Sequence, residues 1–351
     1  MNTKGKLLVD AEDFARHNIK KGESQVWEDG IHLDLKNLKP GEWEWWYSDG
    51  HLDNGAFFVA SYHLDVDAQG KVRYFLRVNI ANETGIILDK EIPIAADTVK
   101  LSKDICASYF GSSFIKSLDG LNKYEIFLDP KTIEGNNGLH IIMEKTVPTF
   151  KPGTGFWESN GKYFAWLCAV PSATITGTIT INGKEEKITG NGYHDHNWGK
   201  CPMNEILGDW LWSRGEIDGI TAVVSSVRFN EQNGGQETNF VYLAEGENIL
   251  IDAINEEVTC LEGVKIPHPD TGKKISSDCI YIVKNNEGYN YIRFQGKQIV
   301  ASFPFGENDA YITYYARFVS ETILDLNVQE RHIQGQAHST LEVMDFLGKK
   351  K

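Results

Sequence analysis

Alternation of apolar and polar residues with a period of two constrains this sequence more than any other feature. In Arg73–Ile80 one face carries Tyr, Leu, Val and Ile, while Thr174–Ile181 sets four threonines against Ile, Gly, Ile and Ile. Turn signals such as Asp53-Asn54-Gly55 and Asn182-Gly183 follow at short intervals. Many short alternating segments predict an all-β protein of antiparallel barrels or sandwiches. Only two segments, Asp10–Lys20 and Leu341–Leu347, are predicted as short helices.

The length and one Pro/Gly-rich stretch indicate how the chain is divided. A chain of 351 residues is long enough for two domains. Prolines and glycines crowd residues 148–161, but aromatic residues lie among them, which favours a packed connection over a flexible tether. We therefore expect an N-terminal β-barrel domain at residues 1–155 and a C-terminal β-barrel domain at residues 156–351.

Charge and motif content exclude several classes of function. The net charge of −14 disfavours nucleic-acid binding, which needs basic surface. The five cysteines contain no CxxC pair, which argues against a zinc site or a disulfide framework. Nucleotide-binding glycine loops, HExxH and GxSxG are absent, so we expect no cofactor. With no leader or transmembrane segment predicted, the expected location is the cytoplasm, and peripheral membrane contact stays open.

The densest group of chemically active residues is Gly190–Gly199, which reads GNGYHDHNWG. On a strand, His194 and His196 would share one face, with Tyr193 and Asp195 on the other. The histidines could bind a metal, although no third ligand stands out. Asp195 could be a general acid, since burial beside aromatic rings keeps a carboxyl group protonated. The cluster could also be a structural hydrogen-bond network between the domains, and the three interpretations stay open.

Aromatic residues form a second group of candidates. Glu42–Tyr47 reads EWEWWY, which is typical of barrel packing or of an aromatic wall for a hydrophobic ligand. The candidate substrate-binding aromatic residues are Trp45, Trp46, Tyr62, Phe75, Trp166, Tyr193 and Trp212. Arg73 and Arg77 could receive a carboxylate or phenolate, or simply face solvent. Asp104, near Tyr109 and Phe110, is a second candidate for a catalytic acid.

The string Gly190–Gly199, with the earlier Glu44–Tyr47, resembles the carotenoid 1,2-hydratase (hydroxyneurosporene synthase) and AttH-like family over about residues 40–345. The resemblance implies two lipocalin-like barrels with a ligand pocket in or between them. It implies hydrophobic polyene or isoprenoid substrates and no redox cofactor. Family members include carotenoid hydratases, isoprenoid and meroterpenoid cyclases and Diels–Alderases. By this resemblance Asp195 and Trp166 occupy positions thought to matter in the hydratases.

These observations give one leading functional expectation and two alternatives. The leading expectation is a cofactor-independent enzyme in which Asp195 or Asp104 protonates a terminal alkene of an isoprenoid or meroterpenoid. Aromatic faces then stabilise the carbocation until cyclisation or water addition. An aromatic acid head group on the substrate would be held by Arg73 and Arg77. The alternatives are a Diels–Alderase, which needs no acid, and a non-enzymic carrier of hydrophobic ligands.

Overall fold

The computed structural model describes residues 4–268, 272–304 and 311–350, and the all-β prediction is confirmed. The one α-helix in the described residues, α1 (Ala11–Arg16), lies within the predicted segment Asp10–Lys20. The part of the chain that the structure describes also forms six short 3-10 helices: Val26–Asp29, Ala96–Thr98, Glu134–Asn136, Met203–Glu205, Glu231–Asn233 and Asn255–Glu257. None of the described helices has the length and apolarity needed to cross a bilayer.

The chain divides into two compact units, each with its own antiparallel sheet. The first unit comprises Leu7–Trp157 and Lys162–Pro202, and the second comprises the described residues of Met1–Lys6, Glu158–Gly161 and Met203–Lys351. The thirteen strands of the first sheet are β1 (Lys6–Leu7), β2 (Trp43–Leu52), β3 (Phe57–Val66), β4 (Val72–Asn82), β5 (Gly85–Ile94), β6 (Val99–Leu101), β7 (Ala107–Phe110), β8 (Ser113–Asp119), β9 (Lys123–Leu128), β10 (Gly138–Lys145), β11 (Phe156–Ser159), β12 (Lys162–Ile181) and β13 (Lys184–Gly199).

The first unit is a nearly closed barrel. Its strands follow the order β5-β4-β3-β2-β13-β12-β10-β9-β8-β7-β6. Apolar side chains at alternate positions fill its interior, among them Trp46, Tyr62, Leu76, Ile126 and Ile141. We call the side of each strand that faces this core the inner face, and the opposite side the outer face.

The second unit is also a nearly closed barrel. Its main strands are β14 (Leu207–Ile217), β15 (Ile220–Phe229), β16 (Glu237–Glu245), β17 (Asn248–Ile254), β18 (Val258–Glu262), β21 (Asp278–Asn285), β22 (Gly288–Pro304), β23 (Tyr311–Val328) and β24 (Arg331–Lys350), with β19 (Lys265–Pro267) and β20 (Lys274–Ser276) as a separate hairpin. They follow the order β17-β16-β15-β14-β24-β23-β22-β21-β18. The helix predicted at Leu341–Leu347 is wrong, because Leu341 and Val343 are buried at alternate positions of β24.

The division between the units differs from the expected boundary after residue 155. β12 and β13 follow that boundary, yet they belong to the first unit. β13 pairs with β2 from Gly190–Leu52 to Gly199–Trp43, and β12 pairs with β10. Returning strands from residues 162–199 therefore complete the first barrel. Residues 148–157 of the Pro/Gly-rich stretch lie in the first unit and residues 158–161 in the second. The chain returns to the first unit at Lys162 and passes to the second unit again after Pro202.

Candidate active site

The two faces of β13 carry two different clusters. His194 and His196 lie on the inner face and are completely buried. Tyr193, Asp195 and Asn197 lie on the outer face, where each is at most 6% exposed. The alternation predicted from Gly190–Gly199 therefore separates the histidines from the carboxylate.

The outer cluster is centred on Asp195, whose two oxygens accept three hydrogen bonds. Trp166 Nε1 donates to Oδ2 at 2.8 Å and the Tyr193 hydroxyl donates to Oδ2 at 2.7 Å. Asn197 Nδ2 donates to Oδ1 at 2.7 Å. Burial raises the pKa of Tyr193 well above 10, so its phenol stays neutral and keeps a proton to donate. Oδ2 thus accepts two of these hydrogen bonds and Oδ1 accepts one, so at least three of the four lone-pair positions of the carboxyl group are occupied.

Strand pairing extends this cluster across the outer face of neighbouring strands. In register, Asp195 lies opposite Tyr47, Tyr47 opposite Ser61, and Ser61 opposite Arg77. We call these four residues the Asp195 row. Tyr47 donates its hydroxyl to Asp49 at 2.7 Å. The next row, toward the start of β2 and the end of β13, contains Asn197, Trp45, His63 and Phe75. Polar and aromatic side chains thus lie side by side over four strands.

The inner cluster is centred on Asp29, a residue of the 3-10 helix Val26–Asp29. His194 Nε2 lies 3.1 Å from Asp29 Oδ2, and the Tyr124 hydroxyl donates to the same oxygen at 2.6 Å. Burial alone would raise the pKa of Asp29, but His194, His196 and Tyr124 outweigh it and hold the pKa below its ordinary value. Burial would likewise lower the pKa of His194, but Asp29 raises it. The two side chains therefore form a buried ion pair.

Glu44 continues the inner cluster on β2. Its Oε1 lies 2.9 Å from His196 Nε2 and accepts from the backbone N–H of His32 at 2.7 Å, while Oε2 accepts from the backbone N–H of Leu33 at 3.0 Å. Burial raises the pKa of Glu44 to about 7 and lowers those of His32 and His196 to about 4. Glu44 therefore titrates close to pH 7, where His32 and His196 are neutral. It ties the segment around residues 28–33 to the inner face of β2 and β13.

Among the described residues, one group of side chains could hold a metal ion. Asp29, Cys106 and His194 each bring a donor atom within 4.8 Å of the others. His194 Nδ1 faces the Tyr47 carbonyl oxygen at 2.8 Å and therefore carries a proton. Nε2 and the carboxylate of Asp29 make the ion pair described above. The ion pair is sufficient to explain why Asp29 and His194 lie close together. The histidines of the GNGYHDHNWG string therefore belong to a hydrogen-bond network inside one barrel.

The predicted aromatic wall is split between the two faces. Trp46 and Tyr62 lie inside the first barrel: Trp46 Nε1 donates to the Asp29 carbonyl at 2.9 Å, and Tyr62 donates to the Phe114 carbonyl at 2.7 Å. Neither belongs to the Asp195 face. Trp45, Phe75, Trp166 and Tyr193 lie on the outer face, and Trp212 lies on β14 of the second unit.

The predicted anion-binding arginines are already paired with carboxylates. Arg73 lies 3.3 Å from Asp65 and 3.7 Å from Glu91, and Arg77 lies 3.9 Å from Glu91. Such partly exposed pairs agree with the solvated face considered as the simpler interpretation. Asp104 is exposed between β6 and β7 rather than held against Tyr109 and Phe110. The role of Asp104 as an acid in an apolar setting is therefore not supported by its position.

A cavity of about 230 Å³ lies within the second unit. Its walls are strongly charged, with the ionisable residues Asp209, Arg228, Glu237, Glu262, Lys265, Lys274 and Asp345. Burial raises the pKa of Asp209 to about 6. A hydrophobic polyene would leave these charges desolvated, so the cavity does not suit such a substrate.

Sequence reasoning missed several residues of these clusters, among them Asp29, Ser61, His63 and Asn197. Asp29 and His194 are 165 residues apart, and no local pattern links them. Ser61 and His63 could have been found, because alternation over β3 places both on the outer face. Asn197 lies in the string already singled out, on the face of Asp195.

Comparison with known proteins gives a family match. The model of the family described as Diels-Alderase-like matches residues 28–260. Quinolone epoxide rearrangement protein asqO of Emericella nidulans is 27% identical over 81 residues, which are 23% of this chain and 21% of asqO. Hydroxyneurosporene dehydrogenase of Chlorobaculum tepidum is 36% identical over 55 residues, 14% of each chain. The matches thus span about a fifth or less of these curated relatives.

Solved structures share the fold at low sequence identity. The crystal structure of CghA with Sch210972 has a TM-score of 0.65 at 14% identity, covering 88% of this chain and 89% of CghA. An AttH protein of Nitrosomonas europaea has a TM-score of 0.64 at 11% identity, covering 93% and 98%. Kievitone hydratase of Nectria haematococca has a TM-score of 0.55 at 17% identity, covering 92% and 95%.

Proposed function

The chain belongs to the Diels-Alderase-like family, and on this premise we propose that it is a natural-product tailoring enzyme that cyclises a hydrophobic polyene by a pericyclic reaction. The proposed site is the outer face of β12, β13, β2 and β3 around Asp195. No cofactor takes part in the proposed step.

The observation that carries the proposal is the triple hydrogen bonding of Asp195. The Trp166, Tyr193 and Asn197 donors occupy at least three of the four lone-pair positions of the Asp195 carboxyl group, so a proton could reach an alkene only from the remaining position on Oδ1. A cycloaddition needs no proton. It needs the diene and the alkene held face to face, which lowers the entropic barrier. In this mechanism Asp195 holds the Trp166 and Tyr193 side chains in place, and the folded polyene lies against them.

Acid-catalysed cyclisation or hydration is the second candidate. Its support is the correspondence of Trp166 and Asp195 with positions that the family resemblance singled out, together with the name of asqO, a protein of epoxide rearrangement. Kievitone hydratase, a structural neighbour, is named for addition of water. This mechanism requires Asp195 to acquire a proton, and the alkene must then compete for it with the surrounding hydrogen bonds.

The experiment that separates the candidates uses purified protein in D₂O with two kinds of substrate. One set is linear polyenes with a diene and a tethered alkene, and the other is prenylated aromatic acids and linear carotenoids. Mass spectrometry and chromatography then identify the products. We expect an isomer of the polyene with a new retention time and no carbon-bound deuterium. One deuterium per product would contradict the pericyclic mechanism and favour protonation, and an added water would favour hydration.

The variant Asp195→Asn gives an independent test. Asparagine keeps the shape of the side chain, and rotation of the Asn197 amide restores a hydrogen bond to it. A pericyclic enzyme should keep turnover within about tenfold, whereas loss of a general acid costs about 10² to 10⁴ in rate. Binding of both substrate sets without turnover, seen as quenching of tryptophan fluorescence, would contradict both enzymic mechanisms and leave a carrier of hydrophobic ligands.

A further inference from the structure

The outer face of β3 carries a serine, a histidine and an aspartate at alternate positions. Nε2 of His63 lies 2.7 Å from Oγ of Ser61. Asp65, two residues further on, pairs instead with Arg73 at 3.3 Å. Ser61 and His63 therefore make a serine–histidine contact at the distance that a nucleophile and its base require.

The imidazole ring of His63 is fixed by aromatic neighbours on both adjacent strands. The ring of Phe75 on β4 stacks on it at 4.6 Å between centroids with an interplanar angle of 8°. The ring of Trp45 on β2 lies at 5.4 Å and 32°. A ring held in this way cannot turn freely away from Ser61. The two aromatic rings thus do the orienting that a carboxylate does in a catalytic triad.

Ser61 lies in the Asp195 row, next to the proposed site of cyclisation. It is 3% exposed and lies between Tyr47 and Arg77 in register. The guanidinium of Arg77 lies 3.9 Å from Glu91 on β5, so its charge is directed away from Ser61. The pair therefore consists of Ser61 and His63, without a contribution from Arg77.

A second serine–histidine contact in the protein shows what an inactive pair looks like. Nε2 of His268 lies 3.0 Å from Ser302 Oγ, but also 3.1 Å from the carbonyl oxygen of Tyr315. A carbonyl oxygen only accepts, so this Nε2 carries a proton and cannot take one from Ser302. The pair at Ser302 is thus a matched internal control for the pair at Ser61.

We propose that Ser61 and His63 are a nucleophile and base pair that accepts an acyl group from an ester or thioester. The Ser61 proton passes to His63 Nε2 as Oγ forms a bond to the acyl carbon. The bond to the leaving group breaks, and the leaving group takes the proton from His63. Water then attacks the acyl-serine with His63 again as base, which releases the acid and restores Ser61. This activity is separate from the proposed cyclisation and does not depend on it.

The test is covalent phosphorylation of the full-length protein by diisopropyl fluorophosphate, a small reagent that labels activated serines. Attack by Ser61 forms an oxygen–phosphorus bond and expels fluoride. Peptide mass spectrometry should find the label on Ser61 and not on Ser302. Ser61→Ala should abolish the label, and His63→Gln should slow it by about tenfold or more. Ser117→Ala, which removes a serine bonded to the Gly120 carbonyl, should leave the labelling rate unchanged.

A nuclear magnetic resonance measurement covers the case in which a variant does not fold. The ¹⁵N shifts of His63 in the unmodified protein report which ring nitrogen carries the proton. An unprotonated Nε2 supports the proposal, and a proton on Nε2 overturns it. Labelling of Ser61 no faster than that of Ser302, or none at all, also overturns it. None of these outcomes bears on cyclisation, so failure here is distinct from failure of the proposed function.

Discussion

Asp29 and His194 form a buried ion pair, with Oδ2 and Nε2 3.1 Å apart and neither side chain exposed. The pair joins the 3-10 helix Val26–Asp29 to the inner face of β13. Because Asp195 is the next residue on that strand, the pair also fixes the backbone from which Asp195 extends on the outer face.

Asp29→Asn should destabilise the first barrel by about 3 kcal/mol, because removal of one partner leaves the other buried without compensation. Urea unfolding followed by tryptophan fluorescence measures the change. The control is Glu125→Gln, which breaks the more exposed pairs with Lys116 and His140 in the same unit and should cost less than about 1 kcal/mol. Equal costs for the two variants would contradict the buried ion pair.

Stability should fall as the pH drops from about 6.5 to 4, in part because of His32. Burial gives His32 a pKa of about 4 in the folded protein against an ordinary 6.5, so the unfolded chain binds the proton first. Glu44, with a folded pKa of about 7, opposes this between pH 7 and 4.5, because the folded state then binds the extra proton. His196, with a pKa of about 4, adds to the loss.

The variant His32→Gln isolates the contribution of His32 to the pH dependence of stability. Relative to the parent protein, it should recover about 3 kcal/mol of the stability lost between pH 7 and pH 4. The measurement is urea unfolding at pH 7, 5.5 and 4. The exposed His140→Gln serves as control, and an unchanged pH profile for His32→Gln would refute the prediction.

Gly190→Ala should lower the free energy of unfolding by about 3 kcal/mol, because a Cβ there would lie 2.3 Å from the backbone oxygen of His51 on β2. Gly192→Ala is the matched control. Its Cβ would meet the side-chain ends of Met143 and Ile175, which can move, so the cost should be about 1 kcal/mol. Thermal unfolding of both variants is the check, and a larger loss for Gly192→Ala would reverse the argument.

Trp166→Phe should lower the free energy of unfolding by about 2 kcal/mol, because it leaves the buried Asp195 carboxyl group with one hydrogen bond fewer while keeping an aromatic ring. Trp45→Phe is the control for a tryptophan to phenylalanine change on the same face, and should cost about 1 kcal/mol or less. Chemical denaturation gives both values. If the two substitutions lowered the free energy of unfolding by the same amount, the hydrogen bond from Trp166 to Asp195 would make no contribution to stability.

The sequence allowed the fold class and the family to be predicted because both depend on local pattern. Period-two alternation gave the strands, and the string Gly190–Gly199 gave a family resemblance that the match over residues 28–260 confirms. The same alternation assigned Asp195 and the two histidines to opposite faces. The helix predicted at Leu341–Leu347 failed because a short apolar run does not distinguish a strand from a helix.

Pairings between distant segments could not be predicted from the sequence. Asp29 meets β13 only through closure of the barrel, and the composition of residues 148–161 gave no sign that β12 and β13 return to complete it. The sequence predicts Trp46 and Tyr62 in a substrate-binding wall, because the sequence pattern around an aromatic residue is the same whether its side chain faces a core or a ligand. The prediction of Asp104 as a buried acid rests on its neighbours in sequence, whereas its exposure depends on the turn that it occupies.

The alternation of β13 also determines where this protein can be altered. Odd-numbered positions from 193 to 197 carry the groups around the proposed reaction, and even-numbered positions carry the groups that keep the barrel folded. A combinatorial library confined to the odd positions would measure how much of the stability of the barrel depends on the outer face alone. One strand thus separates the residues that hold the barrel together from the residues of the proposed site.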